Sequence, residues 1–252
     1  MYYLLTQREQ LPRFFPKGGV GAEIGVAHGD YSAVILADAD PSELHLIDPW
    51  SHLETGSDPL QATGFLADLE KEGVVFGAPP PNLEGDEDYA RIAARFAGDP
   101  RVHLHRQYSY KAAKRFAEGM FDFVYLDGNH HYEFVLRDLQ DFAARLKPGG
   151  LLFGHDFFED GFALEERYGV VEAVGTFLKR SDFRFIMLTW EPYSTFCLAR
   201  GMDGFAGQVL RNILESDVPM IELPDAFVGN YRDKRYKRRD GSMRRVPSFV
   251  MP

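Results

Sequence analysis

The 252-residue sequence predicts an α/β fold, a doubly wound and mostly parallel sheet covered by helices on both faces. Three observations predict it. Short apolar runs alternate with longer amphipathic stretches for about 200 residues. Several of those runs end in an acidic residue or a glycine turn, the boundary chemistry of strands that hand over to helices. The last two runs flank a Glu-Pro-Tyr turn and read as a hairpin, which adds one antiparallel strand.

The elements follow in order. Val20–Val26 (VGAEIGV) is a buried strand running into a turn, and Tyr31–Ala37 has helical spacing. Glu43–Ile47 (ELHLI) is a short strand ended by Asp48-Pro49. Arg101–His105 (RVHLH) alternates like a strand, and Ser109–Glu118 reads as a helix. Phe121–Leu126 (FDFVYL) is an apolar strand ending in Asp127-Gly128. Tyr132–Leu146 is a helix closed by Lys147-Pro148-Gly149-Gly150, its stripe of Phe134, Leu139, Phe142 and Leu146 facing the core. Leu151–Gly154 is a strand ending at His155-Asp156. Tyr168–Arg180 is a helix, and Arg184–Trp190 with Thr195–Arg200 makes the hairpin.

Two segments break this rhythm. Ser51–Pro100 is a long insertion with a helical piece near Leu60–Glu72, a kink at Pro79–Pro81 and a second helix near Asp86–Ala97. It is either a lid or substrate wall at the ligand end of the sheet or a decorative helix pair. From Pro219 the chain reads as a tail without its own core. Between Arg232 and Arg245 stand eight basic and two acidic residues, whereas the other 238 residues carry 20 basic and 36 acidic ones. That basic tail could stay solvated, pair with the acidic body of its own or a neighbouring subunit in a homo-oligomer, or bind anionic lipid or RNA.

Composition narrows the function. With 45% hydrophobic and 26% charged residues, the chain is neither collagen-like, disordered nor a disulfide scaffold. The single cysteine, Cys197, excludes an internal disulfide and a cysteine-cluster metal site. It fits a reducing cytoplasm, the expected location, since the start also lacks a signal-peptide pattern and no apolar run approaches the ~20 residues of a membrane span. A net charge of -10 disfavours nucleic acid as a partner of the body.

In sheets of this kind ligands sit beyond the carboxyl ends of the strands. Glu23, Asp48, Asp127, His155 and Asp156 stand at those ends. The first turn, Glu23-Ile24-Gly25-Val26-Ala27-His28-Gly29-Asp30-Tyr31-Ser32, spaces two glycines by four residues, which lets the backbone approach a ligand. It lacks the middle glycine of a pyrophosphate turn, and its leading acid would repel a pyrophosphate but attract a cationic amino group. Asp48, about 22 residues after Val26 and ending the next strand, can take both hydroxyls of a ribose.

Four segments resemble the motifs of class I S-adenosylmethionine-dependent methyltransferases. EIGVAHGDYS resembles their first motif and HLIDPW their second. FDFVYLDGNHHYEFVLRDL followed by LKPGGLLFGHDF resembles a subgroup with Asp-Gly-x-His-x-Tyr and then His-Asp, which includes small-molecule O-methyltransferases. The resemblance covers roughly residues 17–200. It implies a Rossmann-like, seven-stranded sheet in a catalytic domain over residues 1–218, followed by the basic tail 219–252. It implies S-adenosylmethionine as cofactor, with Glu23, Gly25, Val26, Gly29 and Ser32 around the methionine part and Asp48 on the ribose. Pro49 and Trp50 would stand beside the adenine edge, and the Gln107-Tyr108-Ser109 turn would supply adenine contacts unless Ser109 is only a helix cap. Asp127 closes this site.

Two readings of the chemistry stand side by side. Asp127, His155 and Asp156 could converge on one divalent ion such as Mg²⁺ or Mn²⁺, which would orient an acceptor hydroxyl and lower its pKa. Related metal-dependent O-methyltransferases use acids at these strand ends, so His155 is a departure. Without a metal, His130, three residues after Asp127, could act as the base, because an ordinary imidazole titrates near pH 6.5. His131 would face solvent or substrate, Asp138 and Asp141 read as helix-surface or packing carboxylates, and Trp190 and Tyr193 as packing or acceptor-pocket walls. The expected activity is methyl transfer to a hydroxyl of a small molecule, a sugar or natural product. The alternatives are an RNA or protein methyltransferase guided by the tail, and a non-catalytic module that keeps the cofactor fold.

Overall fold

In a computed structural model, which describes residues 1–50, 83–159, 168–191 and 193–249, one mixed sheet forms the spine of the molecule. Its strands are β1 (Tyr2–Leu4), β2 (Val20–Ile24), β3 (Glu43–Asp48), β4 (Val102–Arg106), β5 (Phe121–Leu126), β6 (Leu146–Gly154), β7 (Arg184–Thr189), β8 (Phe196–Ala199) and β9 (Met220–Glu222). They lie in the order β4-β3-β2-β5-β6-β8-β7-β1-β9. β4 through β6 run parallel, β8 is antiparallel to both β6 and β7, and β9 is antiparallel to β1.

The Rossmann-like α/β prediction therefore stands with two corrections: the sheet has nine strands rather than seven, and two of them run antiparallel rather than one. The additional strands, Tyr2–Leu4 and Met220–Glu222, are three residues long. Three residues are too few to show a period of two, and only their pairing along the β7 edge makes them strands. A third difference lies at Lys147–Gly150, which opens β6 instead of closing a helix, with a register irregularity against β5 between Phe121 and Phe123.

The helices are α1 (Asp30–Val34), which continues as a π-helical turn over Ile35–Ala39, then α2 (Leu83–Phe96), α3 (Ser109–Ala113), α4 (Tyr132–Ala143), α5 (Val170–Arg180) and α6 (Gly204–Leu214). They bury one apolar stripe each on a sheet whose strands are apolar on both faces. In β5, Val124 and Leu126 point to the face covered by α3, α4 and α5, where they meet Ala113, Leu139, Phe142 and Val174. Phe123 and Tyr125 point to the other face and pack with Tyr31, Ile35, Phe205 and Val209 of α1 and α6. Of the stripe predicted on α4, Leu139 and Phe142 are fully buried, Leu146 opens β6, and Phe134 is only half-buried.

α2 matches the second helix expected for the insertion, near Asp86–Ala97, but begins three residues earlier, at Leu83. The helical piece near Leu60–Glu72 and the kink at Pro79–Pro81 lie outside the described residues. Ile92 of α2 is buried, and Arg95 bonds the carbonyl of His28 at 2.5 Å and pairs with Asp30 at 2.7 Å. The described part of the insertion is thus fastened onto the first glycine turn.

The segment after Pro219 is docked rather than free. β9 joins the sheet, and the N-terminal ammonium donates to the Leu223 carbonyl at 2.8 Å and pairs with Asp225 at 3.1 Å. β10 (Tyr231–Lys237) and β11 (Met243–Phe249) then form a separate antiparallel pair. Tyr231 is buried, 3.2 Å from the Ser194 hydroxyl, and Phe249 packs edge-on against Tyr3. The aromatic residues root the hairpin, while Lys234, Lys237, Arg238, Arg239 and Arg244 are exposed. Among the described residues no helix is long and apolar enough to cross a membrane.

Candidate functional site

The carboxyl ends of β2, β3 and β5 open onto a pocket of about 320 Å³ lined by Gly25, Ala27, Asp48, Pro49, Tyr108, Ser109, Asp127, Phe134 and Asp138, among others. Gly25 has φ +83° and accepts the close approach of the neighbouring strand end. A Cβ there would lie 2.1 Å from the Asp127 carbonyl oxygen. Only glycine adopts that conformation without strain and leaves that space. Gly29, with φ +73°, sits beneath Phe96 of α2 and starts α1.

Asp48 holds the turn together. One of its oxygens accepts the amides of Val26 and Ala27 at 2.8 and 3.0 Å, and the other accepts the Trp50 amide at 2.7 Å. A carboxylate offers about four lone-pair sites, so this leaves capacity for a ligand hydroxyl. Pro49 lines the pocket, but Trp50 does not. Its indole is buried behind the turn, donates to the Ala27 carbonyl at 3.0 Å and packs on Tyr89. Val26 is likewise buried.

Glu23 lies under the turn, buried, with Ser32 donating to it at 2.5 Å. Burial pushes its carboxyl up to about 8; the Ser32 hydrogen bond opposes that rise and the nearby Asp127 adds to it. A cation arriving beside it would reverse that shift.

Four side chains meet at the ends of β5 and β6. His130 Nε2 is 2.8 Å from Asp156 Oδ2 and 3.9 Å from Asp127 Oδ1, and His155 Nδ1 is 3.5 Å from both carboxylates. Asp156 adopts φ +56°, a left-handed conformation costing of order 1 kcal/mol in a non-glycine residue. Burial alone would lower both imidazoles, but the two carboxylates outweigh it and bring each to about 9. The carboxylates are held below their usual range by the same contacts, against the opposing effect of burial. The oxygens of Asp127 and Asp156 and one nitrogen of His130 lie within 4.8 Å of one another. His130 Nε2 is buried and, despite its nearness to Asp156, forms no hydrogen bond of acceptable geometry. Such an orphaned nitrogen facing two carboxylates fits a cation ligand. Of the three ligands predicted, Asp127 and Asp156 belong to this group, but its nitrogen comes from His130, and His155 stands beside it at 3.5 Å from both carboxylates.

Sequence reasoning missed two participants. Arg8, in the N-terminal segment, donates to Asp127 at 2.6 Å and lies over the Tyr31 ring. No local pattern links residues 119 positions apart. Asp138, read as a packing or surface carboxylate, is buried on the pocket wall; burial pushes it up to about 7, opposed by a hydrogen bond with Ser109. Its signal was present, since it follows Phe134 by one helical turn and interrupts the stripe of Val135, Leu139 and Phe142. Asp141, by contrast, is only half-buried beside Arg137, at 3.6 Å. Tyr193 packs edge-on against Phe158 with its ring 6.4 Å from that of His155, and Trp190 is exposed. His131 is half-buried and starts α4. Asp138→Ala is expected to weaken binding of an adenine-containing ligand about tenfold, with little change in melting temperature, as titration calorimetry would read.

A family model described as a methyltransferase domain matches residues 22–157. No curated protein matches the chain. Among solved structures, an O-methyltransferase family protein from Burkholderia thailandensis is similar at 13% identity and a TM-score of 0.52, over 77% of this chain and 54% of that one. This chain thus spans about half of that protein. A SAM-dependent methyltransferase from Aquifex aeolicus aligns at 16% identity over 77% and 88% of the two chains, TM-score 0.49. A 1,6-didemethyltoxoflavin N1-methyltransferase from Burkholderia thailandensis, solved with S-adenosylhomocysteine, aligns at 15% identity over 72% and 71%, TM-score 0.45. At such identities structural likeness speaks for the fold alone. The family match, however, runs through the glycine turn, Asp48, Asp127, His130 and Asp156 and spans more than half of the sequence, and the chain belongs to this methyltransferase-domain family, within the class I S-adenosylmethionine-dependent methyltransferases.

Proposed function

We propose that this methyltransferase acts on a hydroxyl of a small molecule, a sugar or natural product, and that Asp127, His130 and Asp156 hold a divalent cation beside the cofactor pocket. The observation that carries this reading is the cluster itself, in which an oxygen of Asp127, an oxygen of Asp156 and a nitrogen of His130 lie within 4.8 Å of one another. Without an ion the two carboxylates raise both imidazoles to about 9, so neither serves well as a base near pH 7, and an ion in the cluster would take the place of the His130 proton. The same cluster of two carboxylates and a nitrogen suits an ion of the Mg²⁺ or Mn²⁺ class, which would supply Lewis acidity toward the acceptor hydroxyl.

S-adenosylmethionine supplies an electrophilic methyl group when bound. In the proposed arrangement the Gly25–Gly29 turn gives the close backbone approach, Asp48 takes the ribose hydroxyls, and Pro49, Ser109 and Asp138 border the adenine. Glu23 compensates the amino group from below. Arg8 neutralises Asp127 on the side away from the histidines and fixes its orientation.

Calorimetry tests the cofactor half of the proposal, and chelation tests the cation half. Binding of S-adenosylmethionine near pH 7 should release a proton, visible as a dependence of the heat on buffer ionisation, because a cation beside Glu23 lowers a pKa now near 8. Glu23→Gln should remove that release. Chelation with EDTA should reduce methyl transfer at least a hundredfold while cofactor binding persists, and added Mg²⁺ or Mn²⁺ should restore it. Unchanged transfer after chelation would refute the cation, and absence of binding at millimolar cofactor would refute the cofactor site.

A further inference from the structure

A second cluster of ligating side chains lies on the sheet, away from the pocket. Strand β3 carries Glu43 and His45, and β4 carries His103 and His105. The spacing of two puts each pair on one face of its strand. The parallel register sets His45 beside His103 and Ile47 beside His105, so all four side chains share one face. The pocket lies at the Asp48 end of these strands, whereas Glu43 begins β3.

This face is otherwise apolar, with Ala22, Ile24, Ile47 and Val124 along it. Three imidazoles there are not explained by core packing alone. The His45 ring is stacked between those of His103 and His105, with centroids 4.8 and 5.1 Å away. Its outer edge faces solvent through Glu43, 48% exposed, and His103, 43% exposed, while His45 itself is buried. Glu43 Oε2 is 3.3 Å from His45 Nε2 and 3.8 Å from His103 Nε2, and the three ligand atoms lie within 4.8 Å of one another. Ligands of a tetrahedral ion at 2.0–2.1 Å stand about 3.3 Å apart, so small side-chain rotations close the set. His105 Nε2 is 2.9 Å from the other nitrogen of His45, Nδ1. That bond orients the His45 ring and can reserve Nε2 for a ligand role, as outer partners of ligating histidines do.

We propose that Glu43, His45 and His103 form a cation site for Zn²⁺ or an ion of similar imidazole preference, with His105 as its positioning residue and a fourth position open to water. Two imidazoles with one carboxylate favour such an ion over Mg²⁺. The ion ties the edge strand β4, which leads directly into the Gln107–Ser109 turn, to β3.

The test uses the full chain, freed of metal by chelation. Zn²⁺ alone should raise the melting temperature by roughly 5–10 °C at a hundredfold excess over its Kd. In an Asp156→Asn background His103→Ala and Glu43→Gln, both at exposed positions, should abolish the rise, and each made alone should leave the metal-free melting temperature and methyl transfer unchanged. His105→Ala should weaken Zn²⁺ binding about tenfold. Asp156→Asn should keep the rise, which separates this site from the one beside the pocket. Co²⁺ should give the intense visible bands of a four-coordinate ion, absent in His103→Ala. A rise that survives in His103→Ala combined with Asp156→Asn, a rise lost in Asp156→Asn alone, or no Zn²⁺ binding at 1 mM would overturn the proposal.

Discussion

Asp127→Asn is expected to lower methyl transfer by about 10³-fold while S-adenosylmethionine binding changes by less than tenfold. Among the described residues Asp127 is the one side chain that faces the pocket and also contacts Arg8, His130 and His155. The amide keeps its shape but loses the charge that a cation or an imidazolium requires, which is the kind of loss that costs two to four orders of magnitude in rate. Single-turnover transfer to a hydroxyl acceptor, read beside calorimetric cofactor binding, checks it. A transfer rate within tenfold of the wild type would remove Asp127 from the chemistry. The variant also changes the pH dependence of stability. His130 and His155 are raised to about 9 in the folded chain, so their contribution is complete below their unfolded value near 6.5 and is lost as pH climbs toward 9. Urea denaturation between pH 6 and 9 should show that decline in the wild type and a shallower one in Asp127→Asn.

Gly25→Ala should be the most damaging change in the cofactor turn. The new Cβ would meet the Asp127 carbonyl oxygen at 2.1 Å, at a backbone φ of +83° that disfavours any side chain. The obstacle is backbone on both sides, because the Asp127 amide donates to the Ile24 carbonyl at 2.7 Å and the Gly25 amide to the Ile47 carbonyl at 3.0 Å. Neither strand end can retreat without breaking the ladder. A loss of about 3 kcal/mol or more is expected, together with loss of cofactor binding. Equal unfolding midpoints for wild type and variant would show that the turn is looser than described. Gly29→Ala should be milder, since the nearest atom to its Cβ is the edge of the Phe96 ring at 2.8 Å, and a side chain can shift.

The features that rest on local pattern were legible before any fold was known. Apolar runs of five or six residues placed β2, β3, β5 and the β7–β8 hairpin, because a strand buried on both faces has to be apolar throughout. Turn chemistry marked Gly25, Asp48, Asp127 and Asp156 as strand-end residues, since ligand-facing groups in such a sheet stand where strands stop. The tertiary structure decided what depends on distant partners. Tyr2–Leu4 and Met220–Glu222 are strands only because each finds an edge to pair with, and the basic segment has a root only because Phe249 reaches Tyr3 of the N-terminal strand and Tyr231 reaches Phe157 and Ser194. Arg8 joins Asp127 across 119 residues, and His130 turns its ring nitrogen toward Asp156 from a different element. Protonation belongs to the same class. The sequence offered His130 as an ordinary imidazole suited to accept a proton, but two carboxylates packed around it in a buried site hold that proton in place, and a pKa follows surroundings that no local spacing encodes.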